Sequence, residues 1–218
     1  MLTKLPKWVE YGAFALAFIA GIVNAVGLLG FEHQAISHLS GSVTLLGITL
    51  MTNASSALLL LAVVLSFMLG SALSGFLLTG GSLKLGRHYD TLLFIEGLLL
   101  LLSAYLLSRA HVYGITLASA ACGLQNALAT NYSGAVVRTT HLTGIFTDLG
   151  LMIGKALKGE PFDTRKGVIF ILIIAGFLLG GVCGFMLYEH LALLALTVPA
   201  AACFILSLTY RVYRIRAL

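Results

Sequence analysis

The stretch His38–Gly47, HLSGSVTLLG, returns later in the chain as His141–Gly150, HLTGIFTDLG. Each copy follows an apolar segment that carries the pattern Gly-x-x-Asn-Ala, once around Asn24 and once around Asn126. The two asparagines are 102 residues apart and the two histidines 103 residues apart. Polar identities kept in register at this spacing rarely arise by chance in a leucine-rich chain. The sequence therefore predicts a duplicated module.

The composition predicts that this module lies in a membrane. Of the 218 residues, 59% are hydrophobic and 10% are charged, and the mean hydropathy is +1.02. Soluble domains carry about 25% charged residues, so an integral membrane protein surrounded by lipid is expected. The net charge of +5 lies in loops and tails, without a basic stripe interleaved with aromatic residues. Nucleic-acid binding is therefore not expected.

Each half holds three long apolar segments and one short one. The long segments span about 10–30, 57–79 and 89–108, then 112–130, 167–188 and 191–210. The short segments, 39–51 and 142–154, have 13 residues each. As helices they would be roughly 20 Å long, whereas the hydrocarbon core is roughly 30 Å thick. Such lengths are typical of re-entrant or partial helices, which predicts six membrane crossings rather than eight.

The positions of the basic residues favour the same arrangement. With six crossings, 12 of the 13 Lys and Arg residues lie on the side of both termini, and Arg109 lies on the other side. With eight crossings the split is ten to three. Because Lys and Arg favour the cytoplasmic side, both termini are predicted to be cytoplasmic. Three crossings per half make 1–108 and 109–218 inverted repeats, so the expected fold is an all-α polytopic membrane protein.

Inverted repeats would bring the two motifs together near the membrane midplane, where transporters commonly bind their cargo. The candidate substrate-binding residues are the polar and glycine positions of both copies: Asn24, His38, Ser40, Gly41, Thr44, Gln125, Asn126, His141, Thr143, Gly144 and Thr147. Ser40 and Thr143 are candidate N-caps, and the free N–H groups of a helix N-terminus favour an anionic or dipolar cargo. The two glycines are candidate points of close backbone approach.

The same residues have simpler interpretations. The two asparagines can serve as interhelical hydrogen bonds that hold the bundle. The histidines can be ordinary polar residues at the membrane interface, or they can relay protons. Two carboxylates, Glu96 and Asp148, stand in apolar runs. An ionisable residue at such a position is a candidate proton-coupling group. For Asp148 the alternative is a structural pairing with Arg138 or Lys155.

The paired motifs resemble the YoaK family, bacterial multi-pass membrane proteins that form a domain of unknown function. The resemblance rests on Asn24-Ala25, Ser37–Thr44, Gln125–Ala127 and Thr140–Gly144, and Glu96 within its apolar segment also fits it. It covers nearly the whole chain. The resemblance implies a polytopic protein of the bacterial inner membrane, and it implies no particular substrate.

The leading hypothesis is a transporter or channel for a small molecule or ion. A membrane scaffold or partner subunit is the first alternative, and an intramembrane enzyme is the second. The sequence contains no G-x-S-x-G, H-E-x-x-H or phosphate-loop pattern, and its three cysteines have no C-x-x-C spacing. No enzyme, cofactor or metal site is therefore predicted. Spacings of small residues such as Gly70-x-x-x-Ser74 permit a homodimer and fit packing within one chain equally well.

Overall fold

The computed structural model describes residues 8–30, 39–78, 88–133 and 138–216, and these ranges fold into helices without a strand. The α-helices are α1 (Trp8–Gly30), α2 (Leu39–Thr52), α3 (Ala54–Leu77), α4 (Tyr89–Ser108), α5 (Gly114–Ser133), α6 (Leu142–Leu157), α7 (Thr164–Leu191) and α8 (Thr197–Arg216). A 3₁₀ helix, Ala192–Leu196, joins α7 to α8. The predicted all-α class is confirmed for these ranges.

Four apolar helical stretches are long enough to cross a bilayer by length and composition. They are Val9–Gly30, Ala54–Leu77, Tyr89–Ser108 and Thr164–Ile215, the last of which contains both α7 and α8. Helix α5 has 20 residues but is more polar, with Gln125 and Asn126 in its second half, and it is not among the four. The helices α2 and α6 have 14 and 16 residues, so the two motif segments are short, as predicted.

Close contacts through glycine show that α1 and α7 run parallel. Gly176 of α7 lies against Phe14 of α1. Two turns later, Gly184 lies against Ile22. Both glycines are buried in the interface, and a Cβ atom on either would meet the backbone of α1. Small residues at these positions let the two backbones approach closely.

Helices α3 and α5 form a second parallel pair. The Ser119 hydroxyl donates to the Val63 carbonyl at 2.8 Å. One turn later, Gly123 lies against the Phe67 backbone, and the Ser71 hydroxyl donates to the Gly123 carbonyl at 3.0 Å. This pair combines close glycine packing with interhelical hydrogen bonds.

Helix α4 runs antiparallel to both α5 and α8. Near the end of α4, the Ser103 hydroxyl donates to the carbonyl of Gly114, the first residue of α5, at 2.7 Å. Near its start, the Asp90 carbonyl accepts from the Ser207 hydroxyl of α8 at 2.6 Å. The Asp90 carboxylate also pairs with Arg214 at 3.1 Å. Helices α1, α4 and α7 therefore begin at the end of the bundle where α3, α5 and α8 finish.

We call this end the basic end, because most of the described basic residues lie there: Arg138, Lys155, Lys158, Arg165, Lys166, Arg211 and Arg214. Arg109 lies at the opposite end, beside the ring of Tyr105. Helix α6 lies at the basic end, packed against α7, and α2 lies at the opposite end, packed against α3. Each has one buried residue among those described, Ser42 in α2 and Ile145 in α6. The motif helices thus lie on the outside of the bundle.

Candidate functional site

The apolar core is divided into two clusters, one on each side of a polar layer. The cluster nearer the basic end includes Leu92 and Leu93 of α4, and the cluster nearer the opposite end includes Leu100. Glu96 stands between them on the same helix, with 2% of its surface exposed. On α5, Gln125 is likewise buried, with 1% exposed. A carboxyl and an amide are therefore enclosed near the middle of the bundle.

Glu96 has one hydrogen-bond partner and one free oxygen among the described residues. Its carboxyl group and the Cys203 thiol of α8 are hydrogen-bonded. Its Oε2 atom has no partner in the described part of the chain. Cys122 of α5 is also buried in the vicinity of this carboxyl group. No Lys or Arg among the described residues is buried, so nothing there neutralises a charge on Glu96.

Further buried polar atoms beside this layer lack partners. Within the described ranges these are Gln125 Nε2, Asn126 Oδ1 and Ser74 Oγ. Leaving such a group unsatisfied costs roughly 1–3 kcal/mol. Groups of this kind in a native structure often mark the place of a water molecule, an ion or a ligand. Their concentration on α3, α4 and α5 makes this layer the candidate site. Asn24 is also buried, on α1, but it is engaged in an interaction.

The two motif copies have the same local hydrogen bond. The Thr44 hydroxyl donates to the Ser40 carbonyl at 2.9 Å, and the Thr147 hydroxyl donates to the Thr143 carbonyl at 2.9 Å. Ser40 and Thr143 both lie within the first turn of their helices, so the prediction that they are N-caps is wrong. The N-cap of α6 is the residue before Leu142, and it makes no capping hydrogen bond through its side chain.

The two motif glycines differ in their surroundings. At Gly144 the His141 imidazole fills the space that a Cβ atom would need. The close approach predicted at this glycine is thus made by a side chain of the same motif. No described atom lies within 4 Å of a Cβ atom built on Gly41. The predicted site residue His38 lies outside the described residues.

Asp148 forms an ion pair at the basic end. Its carboxylate lies 3.1 Å from the Lys166 ammonium, with 46% of the Asp148 side chain exposed. The structural pairing predicted for Asp148 used Arg138 or Lys155, and that choice of partner is wrong. The beginning of α7 packs against α6, which brings Lys166 closer. Asp148 therefore differs from Glu96, which is enclosed.

The structure brings some of the predicted site residues together and separates others. Glu96, Gln125 and Asn126 belong to the central polar layer, whereas the described motif residues of α2 and α6 lie on two outer surfaces. Sequence reasoning missed Ser74, Cys122 and Cys203 as neighbours of this layer. Ser74 had been noted only as a packing residue, and a cysteine in an apolar run gives no signal that separates it from other small core residues. In the described ranges no group of three His, Cys, Asp or Glu side chains could hold a metal ion.

Comparison with known proteins identifies the family. The family model described as protein of unknown function (DUF1275) matches residues 12–209. No curated protein and no solved structure matches the chain. Because the family model covers most of the 218 residues, the chain belongs to this family. The predicted resemblance to an uncharacterised family is thus confirmed.

Proposed function

We propose that this member of a family without an assigned activity is a multi-pass transporter for a small solute in the bacterial inner membrane. It would consist of two inverted repeats, 1–108 and 109–218, with six crossings and both termini in the cytoplasm. The solute path would run through the central polar layer that contains Glu96. The observation that carries the proposal is the reciprocal packing of the two halves around this layer.

Four glycine contacts support the reciprocal packing. Gly21 lies against Phe177, and Gly123 lies against Phe67. The two glycines, on α1 and α5, are 102 residues apart, and the two phenylalanines, on α7 and α3, are 110 residues apart. The first helix of each half thus crosses the third helix of the other half at corresponding residues.

A second pair of contacts has the same spacings. Gly180 lies against Phe18, and Gly70 lies against Ala120. The α1 and α5 residues are again 102 apart, and the α3 and α7 residues are again 110 apart. A duplication with eight extra residues between the first and third helices would produce both values. The corresponding helices of the two halves also run in opposite directions, which favours inverted repeats.

The distribution of charge and polarity supports membrane crossing and transport. The described basic residues concentrate at one end of the bundle, as expected of the cytoplasmic side. Glu96 and Gln125 are buried deep in a bundle of apolar helices, and the Asn126 Oδ1 atom is buried beside Gln125 in sequence. Polar and ionisable residues inside a membrane are costly, and they commonly mark substrate paths or proton relays. A scaffold would need no unpartnered carboxyl oxygen at this depth.

A comparison of two carboxylates tests the proposal. Wild type, Glu96→Gln and Asp148→Asn are purified, reconstituted into vesicles that contain a pH-sensitive dye, and screened with a panel of small solutes. We expect at least one solute to drive proton movement across the membrane of vesicles that contain wild type or Asp148→Asn, seen as a change in the dye signal. The same solute should drive none with Glu96→Gln, because the enclosed carboxyl is removed, whereas Asp148 is a half-exposed member of an ion pair.

Three results would contradict the proposal. Equal solute-driven proton movement by wild type and Glu96→Gln, at equal protein density, would exclude Glu96 from the path. If no solute moves protons with wild type and Glu96→Gln changes only the melting temperature in detergent, the scaffold alternative is favoured. Loss of movement in Asp148→Asn alone would place proton coupling on α6 instead.

A further inference from the structure

A cavity of about 360 Å³ lies in the half of the bundle nearer the basic end, between α1, α4, α5 and α8. Its walls are almost entirely apolar and include Ala13, Leu16 and Gly12 of α1. Three tyrosines, Tyr89, Tyr210 and Tyr213, also line it. Cavities of roughly 300–1,000 Å³ with apolar walls and few polar groups are typical of small-molecule sites.

The central polar layer lies one helical turn beyond the wall of this cavity. Three leucines from three helices line the cavity, and each stands three residues from a group of that layer or from Cys203, the hydrogen-bond partner of Glu96. The pairs are Leu93 with Glu96, Leu128 with Gln125, and Leu206 with Cys203. Residues three apart on a helix lie on the same face, one turn from each other. The apolar cavity and the buried carboxyl are therefore successive layers of one site.

The chemistry of the two layers specifies a ligand. The geometry points to a binding site for a small lipophilic amine, with its apolar body in the cavity and its ammonium group against the Glu96 carboxyl. Glu96 Oε2 lacks a partner among the described residues, and no described Lys or Arg is buried to compete for it. When the ammonium group binds, it replaces any proton that the carboxyl holds, so charge balances within the site.

This inference rests on the proposed transport function and names its cargo class. It differs from the anionic or dipolar cargo that the sequence favours, because the enclosed Glu96 carboxyl attracts a cation. A lipophilic amine would enter the exchange as a cation, and the proton released from Glu96 would leave. The negative charge of the Glu96 carboxylate therefore determines that the cargo is a cation.

Equilibrium binding of three matched probes to the purified protein in detergent tests the site. Phenethylamine, phenethyl alcohol and phenylacetate share a ring and a chain but differ in the charge of the head group. The single tryptophan of the chain, Trp8, adjoins the cavity residue Val9 in sequence and provides a fluorescence signal. We expect phenethylamine to bind about ten- to hundredfold more tightly than the other two, as a hydrogen bond to a charged group predicts.

Three variants separate the cavity from the carboxyl. Gly12→Leu fills the cavity, and no described atom lies within 4 Å of its new Cβ position, so it should fold and lose binding of all three probes. Gly75→Leu makes the same change on α3, outside the cavity and equally unobstructed, and should bind like wild type. Glu96→Gln should bind phenethylamine and phenethyl alcohol equally. Circular dichroism melting verifies the fold of each variant.

The outcomes for binding and for transport are distinguishable. Equal binding of the amine and the alcohol to wild type would overturn the inference, as would undiminished amine binding to folded Gly12→Leu. After either result, the proposed transport function can still be tested by measuring proton movement with other solutes. Amine binding that depends on Glu96, without any proton movement in vesicles, would support the site and reject the proposed transport.

Discussion

The two parallel helix crossings, α1 with α7 and α3 with α5, have corresponding glycines but differ in polarity. At the α1–α7 crossing, glycines of both helices make close contacts, Gly21 against Phe177 and Gly180 against Phe18. At the α3–α5 crossing, Ser71 and Ser119 each donate a hydrogen bond to a backbone carbonyl of the opposite helix. The α3–α5 crossing thus adds two serine hydrogen bonds to close glycine packing. Two helix crossings with the same glycine spacing can therefore differ in how strongly the paired helices resist sliding along each other.

Alanine at the crossing glycines should have the largest effect on stability. A Cβ atom at Gly180 would meet the Phe18 backbone, and one at Gly70 would meet the Ala120 backbone. Because backbone cannot rotate away as a side chain can, Gly180→Ala and Gly70→Ala should each cost about 1–3 kcal/mol. The loss would be measured as a lower midpoint of unfolding in detergent.

The matched controls for these changes are glycines of the same two helices. Gly181→Ala on α7 and Gly75→Ala on α3 place a Cβ atom where no described atom lies within 4 Å. Both should unfold at the wild-type midpoint or slightly above it. Equal losses at crossing and control positions would show that close packing at the crossings does not explain the effect, because alanine alone favours the helix over glycine.

An intermediate effect is expected from removing one interhelical hydrogen bond. Ser119→Ala deletes the hydroxyl that donates to the Val63 carbonyl at 2.8 Å. Interhelical hydrogen bonds in membrane proteins contribute about 0.6 kcal/mol on average, and up to about 1.7 kcal/mol. We expect a loss in this range from the α3–α5 crossing, read from unfolding by a denaturing detergent. The corresponding position of α1, 102 residues before Ser119, is already an alanine, Ala17. A wild-type unfolding curve for Ser119→Ala would show that this hydrogen bond does not stabilise the α3–α5 crossing.

The smallest effect is expected at Ser74, which is buried but has no hydrogen-bond partner among the described residues. Ser74→Ala should change the free energy of unfolding by less than about 0.5 kcal/mol or increase it, because an unsatisfied hydroxyl is removed without loss of a bond. The same denaturant series gives the comparison with Ser119→Ala. A loss larger than that of Ser119→Ala would mean that a bound water or ligand uses the Ser74 hydroxyl.

Periodicity and composition were sufficient for the all-helical class, the short motif helices and the burial of Glu96. They were insufficient for the position of the motif helices. An apolar helix that faces lipid and one that faces protein have the same composition, so the sequence could not place Thr44 or Thr147 on the outside. The partner of Asp148 was also missed, because Lys166 is separated from it by a loop whose path the sequence does not specify. The cavity near Glu96 is formed where four helices meet, and the local sequence pattern of one helix cannot predict such a meeting.

The parallel crossing of α1 with α7 has a consequence for how the protein is made. Phe14 and Gly176 touch although 162 residues separate them along the chain. At a synthesis rate of about 5–20 residues per second, this interval takes roughly 10–30 s. During that time the first helix has left the ribosome, and its glycine-facing surface has no permanent neighbour. The surface of α1 that packs against α7 therefore lacks this partner until α7 has been synthesised, and a chain that stopped at 1–108 would leave it exposed.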